Sequence, residues 1–180
     1  AALTARKAVE NYKSQKPLFV CGTIGPTGFL PSSKDKSLAG GGFDDLCGIF
    51  EEQANGLLDG GVDLFLIETS QDLLEVRAAI YALKHLMAKK NQIIPIQVQI
   101  TIDATGRMLL GSGIESFLGA VTALSPSVIG INCGTGPMEM LPSLKRLLEL
   151  STLPVSALPN AGMPQNIDGK AVYGMEPGDF

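Results

Sequence analysis

An α/β fold with a parallel sheet is what this sequence predicts, on three observations. Short apolar runs alternate with amphipathic stretches along the chain, the runs are rich in Ile, Leu, Val and Phe, and polar residues gather where the runs end. Uninterrupted apolar character suits strands covered on both faces, which is what crossover helices do to a parallel sheet.

Five strands are predicted, over residues 18–21, 63–68, 93–101, 127–132 and 154–157. Between them apolar residues recur at spacings of three and four, which predicts helices over 43–58, 71–88, 114–124 and 138–150. Residues 2–12 read as the tail of one more helix. Gly60-Gly61 stops the helix that opens at Phe43, Ser70 or Asp72 can cap the next, and Pro137 suits the first turn of the last, where an N–H has no partner to lose. Residues 32–42, with lysines and three consecutive glycines after a strand's carboxyl end, read as a long mobile loop.

Five strands and four connecting helices, entered through a leftover helix, make part of a (β/α)8 TIM barrel, since a whole barrel needs about 250 residues. The competing doubly wound sheet would carry a G-x-G-x-x-G turn with an acidic residue about 20 positions on, and that fingerprint is absent. With no repeat beyond the β/α unit and no low-complexity tract, residues 1–180 read as a single, truncated barrel domain.

Composition narrows the function. A net charge of -4 with scattered Lys and Arg argues against a nucleic-acid partner. No apolar run approaches the roughly 20 residues that cross a bilayer, and the opening AALTARKAVENYKSQ lacks a secretory pattern, so no membrane partner and a cytoplasmic location are expected. Three cysteines without a C-x-x-C pair write neither a disulfide framework nor a self-contained zinc site.

The carboxyl ends of parallel strands converge on one mouth of a barrel. Here they carry Cys21-Gly22-Thr23, Glu68-Thr69, Thr101-Ile102-Asp103, Asn132-Cys133 and Pro159-Asn160. Cys133 is the sharpest candidate, a thiol at a strand mouth followed by Gly134 and Gly136, where packing cysteines seldom sit. Glu68 ends the apolar run 64–67 and needs a cationic partner; a substrate ammonium, an internal ion pair and a helix cap would each serve. The glycine loops 22–28 and 134–136 either present amides to an anionic group or simply turn the chain. Asn160 either supports a turn or joins the site. Cys21, at a strand terminus, is expected to face the core or the helices. Cys47 reads as helix packing, and His85, among lysines on the helix 71–88, as a solvated side chain rather than a base.

The blocks GTIGPTG (22–28), GVDLFLIET (61–69), VQITID (98–103), GINCG (130–134) and PNAG (159–162), with the following YGMEPGDF (173–180), resemble the homocysteine S-methyltransferase family in order and over nearly the whole chain from Leu18. The Gly-Pro-Thr-Gly and Pro-Asn-Ala-Gly blocks are most similar to its folate- and cobalamin-linked branch, the methionine synthases.

That resemblance implies a (β/α)8 barrel in which three cysteines hold a zinc ion. Zinc binds homocysteine through sulfur and lowers its thiol pKa, so that the thiolate takes up an activated methyl group and becomes methionine. The methyl group would come from methyltetrahydrofolate through cobalamin on other modules, which makes homocysteine and the remaining methionine synthase modules the implied partners. Cobalamin would not be bound by this segment. Carried over, Cys133 is the first zinc cysteine, Asn160 lies near the metal and fills its open position without substrate, and Glu68 receives the homocysteine ammonium. Thr23 and Thr69 are candidates for the amino acid's polar end. The family's paired zinc cysteines follow one more strand and its first strand carries Asp-Gly; neither is in these 180 residues, so the segment alone is expected to be inactive. Two other readings stand beside this one: a phosphate- or pterin-binding barrel with 134–136 as anion cradle, and a noncatalytic binding domain with a free cysteine.

Overall fold

The computed structural model describes residues 1–162 and 164–179. Five strands pair in parallel and in chain order: β1 (Cys21–Ile24), β2 (Leu64–Ser70), β3 (Ile96–Ile100), β4 (Val128–Asn132) and β5 (Val155–Leu158). A sheet that never reverses its strand order is the arc of a barrel rather than a doubly wound sheet. The arc is open, with β1 and β5 each paired on one side only among the described residues.

Among the described residues six α-helices accompany the strands: α1 (Ala2–Asn11), α2 (Lys36–Ala39), α3 (Phe43–Asp59), α4 (Leu73–Lys90), α5 (Ile114–Val121) and α6 (Pro137–Leu150). Strand side chains alternate between faces, so Phe65, Ile67, Ile96, Val98, Ile100, Ile129 and Ile131 all turn one way and are fully buried. They meet Leu46 and Phe50 of α3, Val76, Ile80 and Leu83 of α4 and Phe117 of α5 in one core. The opposite, inner face carries Thr23, Leu66, Gln97, Gln99, Gly130 and Ser156. Polar residues concentrate there because that face is the lumen of the arc.

The predicted helix boundaries hold to within a few residues, for the reasons the residues suggest. The Asp72 carboxylate caps α4 by accepting the Leu74 N–H at 2.8 Å. Gly60 closes α3, and Pro137 opens α6 at its first position. Helix α4 ends at Asn91 in the left-handed conformation, φ 49°.

Three features differ from expectation. Strand β1 starts at Cys21, where 18–21 was the predicted span, because the ladder to β2 runs from Cys21↔Leu64 to Ile24↔Ile67. Phe19 remains 68% exposed ahead of it. Cys21 therefore opens its strand instead of ending it, and the polar mouth of β1 moves to Thr23 and the residues after Ile24. The segment 32–42 contains α2: Asp35 caps Ser37 through its N–H at 2.9 Å and its hydroxyl at 2.7 Å, and Gly40, φ +66°, passes where a Cβ would lie 2.3 Å from the Phe29 ring. Finally, β6 (Gln165–Ile167) and β7 (Lys170–Val172) form a hairpin that no apolar run announced. Its turn is Asp168-Gly169, both at positive φ (50° and 77°), the pair that a two-residue hairpin turn favours. Phe180, the last residue of the YGMEPGDF block, lies outside the described residues.

The loop after β1 is tied to the start of α4 by two buried carboxylates. Asp72 accepts the Ser32 N–H at 2.7 Å and hydroxyl at 2.8 Å; Glu75 accepts the Thr27 N–H at 2.8 Å and hydroxyl at 2.5 Å. Burial pushes the Glu75 carboxyl above its ordinary value, outweighing the lowering by Thr27. A carboxyl with a raised folded pKa stabilises the fold at low pH and loses that contribution as pH rises through the folded value. Glu75→Gln, which does not ionise, is therefore expected to gain on the wild type as pH rises from the ordinary glutamate range through the raised folded value. Urea midpoints across that range measure it, and a constant difference would refute the assignment.

Candidate active site

At the carboxyl end of β2 the pairing with β3 slips: Ile67 faces Val98, but the next pair is Ser70↔Ile100, so Glu68 and Thr69 share the single partner position of Gln99. A bulge of this kind bends the strand and re-aims side chains. Thr69 takes φ 57°, a conformation that a β-branched residue adopts only when its surroundings hold it there.

Asn132, the last residue of β4 and 2% exposed, does the holding. Its Oδ1 accepts the Thr69 N–H at 2.9 Å, and its Nδ2 donates to Thr69 Oγ1 at 2.9 Å and to Cys133 Sγ at 3.3 Å. The Thr69 hydroxyl lies 3.8 Å from the same sulfur. The backbone carbonyl of Asn132 accepts the Thr101 hydroxyl at 2.9 Å, so the ends of β2, β3 and β4 form one hydrogen-bonded unit.

Cys133 is itself left-handed, φ 55°, and half-buried. Its N–H donates to the Leu158 carbonyl at 3.0 Å, its own carbonyl accepts from Thr135 N at 2.8 Å, and Asn160 N donates to the Thr135 carbonyl at 3.0 Å. These bonds bring Asn160, just beyond β5, alongside the loop that carries Cys133. Gly134, φ +74°, completes the turn; a Cβ there would come within 2.3 Å of the Ile102 carbonyl oxygen. Side chains beyond glycine are thus excluded by packing.

Glu68 is partly exposed on the inner face, and among the described residues its carboxylate takes part in no ion pair. None of the five strands contains a lysine or an arginine. Burial and the neighbouring Glu68 carboxylate both push the Cys21 thiol up, which keeps it protonated near neutral pH. Thr23 lies on the inner face of β1, exposed, three strands away from Cys133; its carbonyl accepts from Gln53 Nε2 at 3.4 Å. Thr69, Cys133 and Asn160 are thus gathered at one mouth, while Thr23 stands at the far edge of the arc. Cys47 packs on the core, its thiol 3.7 Å from the Ala78 carbonyl, and His85 sits on α4 with Nδ1 3.9 Å from Glu51, away from the sheet.

Two adjoining clefts cover this mouth. One, about 250 Å³, is lined by Gln71, Thr101, Asp103, Arg107, Leu109 and Gly134. The other, about 170 Å³, is lined by Phe29, Leu30, Thr69, Gln71 and Leu109 among others.

A soft, partly exposed thiol beside an amide suits a thiophilic metal such as zinc in kind but not in number, since among the described residues no three His, Cys, Asp or Glu side chains cluster to hold an ion. No helix of the described residues is long and apolar enough to cross a membrane. Sequence reading placed Asn132 beside the thiol without seeing that it spans to Thr69. The legible signal was a polar residue at an inward position of an otherwise apolar strand.

The chain resembles two curated methionine synthases: it is 39% identical over 162 residues to that of Mycobacterium leprae (strain TN) and 39% over 163 residues to that of Mycobacterium tuberculosis (strain ATCC 25618 / H37Rv). These alignments cover 90% and 91% of this chain but only 13% of each relative. Among solved structures, the homocysteine methyltransferase MmuM from Escherichia coli in its apo form superposes with a TM-score of 0.70 at 24% identity, over 88% of this chain and 57% of that one; its metallated form gives 0.68 at 21%. Those likenesses fix the fold as the arc of a TIM barrel. The family model for homocysteine S-methyltransferase matches residues 1–180, so the chain belongs to that family.

Proposed function

We propose that this chain is the homocysteine-binding part of a methyltransferase that methylates the homocysteine thiol to methionine. The observation that carries the reading is Cys133: a half-buried thiol in a strained conformation at the mouth of the arc, held by Asn132 and Thr69, in a chain of this family. In this reading Cys133 supplies one thiolate to a zinc ion, Asn160 approaches the same ion, and the remaining ligands come from elsewhere in the full-length protein. Bound zinc would lower the pKa of the substrate thiol. In this reading the methyl group comes from methyltetrahydrofolate, relayed by cobalamin on other modules, as the resemblance of the Gly-Pro-Thr-Gly and Pro-Asn-Ala-Gly blocks implies.

The chain's own residues would bind and orient. Glu68, acidic and without an internal cation among the described residues, receives the substrate ammonium, and Thr69 and Thr23 border the amino acid's polar end. The phosphate-cradle reading loses its motive at Gly134, where the approach of the Ile102 carbonyl already demands glycine. The test is methyl transfer to homocysteine by the full-length protein. Glu68→Gln, which keeps the shape and removes the charge, should raise the KM for homocysteine roughly tenfold or more, because a hydrogen bond to a charged group is lost. Absence of methionine product from the unmutated protein would refute the function, and an unchanged KM would refute the role of Glu68.

A further inference from the structure

A buried amide joins the two ends of the site that one homocysteine molecule would span. Asn132 is 2% exposed at the end of β4, its strand paired there with Leu158 of β5 and its own carbonyl accepting the Thr101 hydroxyl, so its backbone is held from both sides. Its Oδ1 accepts the Thr69 N–H at 2.9 Å. That partner can only donate, so it fixes which end of the amide is oxygen. Both amide hydrogens are thereby directed at Thr69 Oγ1, 2.9 Å away, and at Cys133 Sγ, 3.3 Å away.

The Thr69 N–H belongs to the peptide that leaves Glu68, a planar unit, so Asn132 grips the backbone on which the Glu68 carboxylate is carried. That peptide lies in the β2 bulge, where the ladder to β3 is interrupted between Ile67 and Ser70 and strand pairing does not fix it. Thr69 stands at φ 57° there, costly for a β-branched residue, and Cys133, at the other end of the amide, stands at φ 55°. Two strained residues on different strands, one next to the carboxylate and the other bearing the thiol, are tied by one side chain. Without it the bulge is free to relax, and Glu68 turns with it.

We propose that Asn132 is a positioning residue: by holding the Glu68–Thr69 peptide and the Cys133 sulfur with one amide, it sets the carboxylate at the separation from the thiol that the ammonium and sulfur of a single homocysteine require. This deepens the homocysteine reading and rests on it. The test is a double-mutant cycle in the full-length protein, read as the Kd for homocysteine by titration calorimetry. Asn132→Ala should weaken binding roughly tenfold, as expected for losing the hydrogen bonds that aim a charged group. In a Glu68→Gln background, where no carboxylate is left to aim, the same change should weaken it only about twofold. An equal factor in both backgrounds would mean a structural role and overturn the proposal, as would unchanged binding by Asn132→Ala. Should Asn132→Ala fail to fold, Thr69→Val, which deletes only the hydroxyl that accepts from the amide, carries the same cycle with a factor of roughly threefold. If the unmutated protein does not bind homocysteine, the functional reading falls together with this one; if it binds and the two factors agree, only this inference falls.

Discussion

Gly130→Ala is expected to destabilise the protein by about 3 kcal/mol or to prevent folding, toward the upper end of what overpacking costs. A Cβ at this position would lie 2.2 Å from the Ser156 carbonyl oxygen and 2.9 Å from its carbon. Both are backbone atoms in a paired strand, so neither can swing aside as a flexible side chain would. Relief requires moving β5 away from β4, which breaks the register from Ile129↔Val155 to Asn132↔Leu158 and with it the bond from Cys133 N to the Leu158 carbonyl. The mouth of the arc would open together with the sheet. At Gly119, an exposed position within α5 where nothing lies within 4 Å of the added carbon, the same change should instead stabilise by about 0.5–1 kcal/mol. Denaturant midpoints of the two variants give opposite signs if the packing is as described. A Gly130→Ala protein within about 1 kcal/mol of wild type would mean that β5 does not hold this register.

Local chemistry made most elements legible. The α4 cap at Asp72, the Pro137 opening of α6 and the Gly60 stop are each one residue acting on its neighbours, and the sequence displays all three. Strand β1 was misread because Leu18 and Phe19 are apolar yet lie ahead of the ladder, while Gly22, a weak strand former by type, pairs with β2. Tertiary pairing, not propensity, decided that boundary. The hairpin β6–β7 was signalled only by Asp168-Gly169, since its strands are short and wholly exposed and no apolar alternation marks them. At the site, Cys133 and Glu68 stood out because their types are unusual at the ends of apolar runs. What joins them did not. Asn132 reaches Thr69 across 63 positions, and the β2 bulge exists only relative to β3, so both depend on register between segments that no local pattern encodes. Gln97 and Gln99 were visible as interruptions of an apolar run, but their common partner Ser156 lies more than fifty positions on.

Replacing Cys133 separates what the residue does for the fold from what it does for the chemistry. A left-handed conformation costs a residue with a Cβ on the order of 1–2 kcal/mol, and glycine avoids that cost. Cys133→Gly is therefore expected to be about as stable as wild type or more so, by up to about 1 kcal/mol after the loss of the weak contacts from Asn132 and Thr69 to the sulfur. Cys133→Ser keeps the strain and the hydrogen-bonding geometry, so its stability should hardly change. Both should lower methyl transfer by the full-length protein on the order of a hundredfold or more, because removing an inner ligand should cost at least as much as the 10–100-fold typical of outer partners, and zinc content should fall with activity. The two readouts are chosen to disagree. A protein that tolerates or prefers glycine for folding yet requires cysteine for turnover is holding strain for the sake of the reaction. If Cys133→Gly unfolds the protein, the thiol is a packing group after all. If either variant stays active with its zinc retained, the thiol is not a ligand, and the methyltransferase chemistry must be organised around other residues.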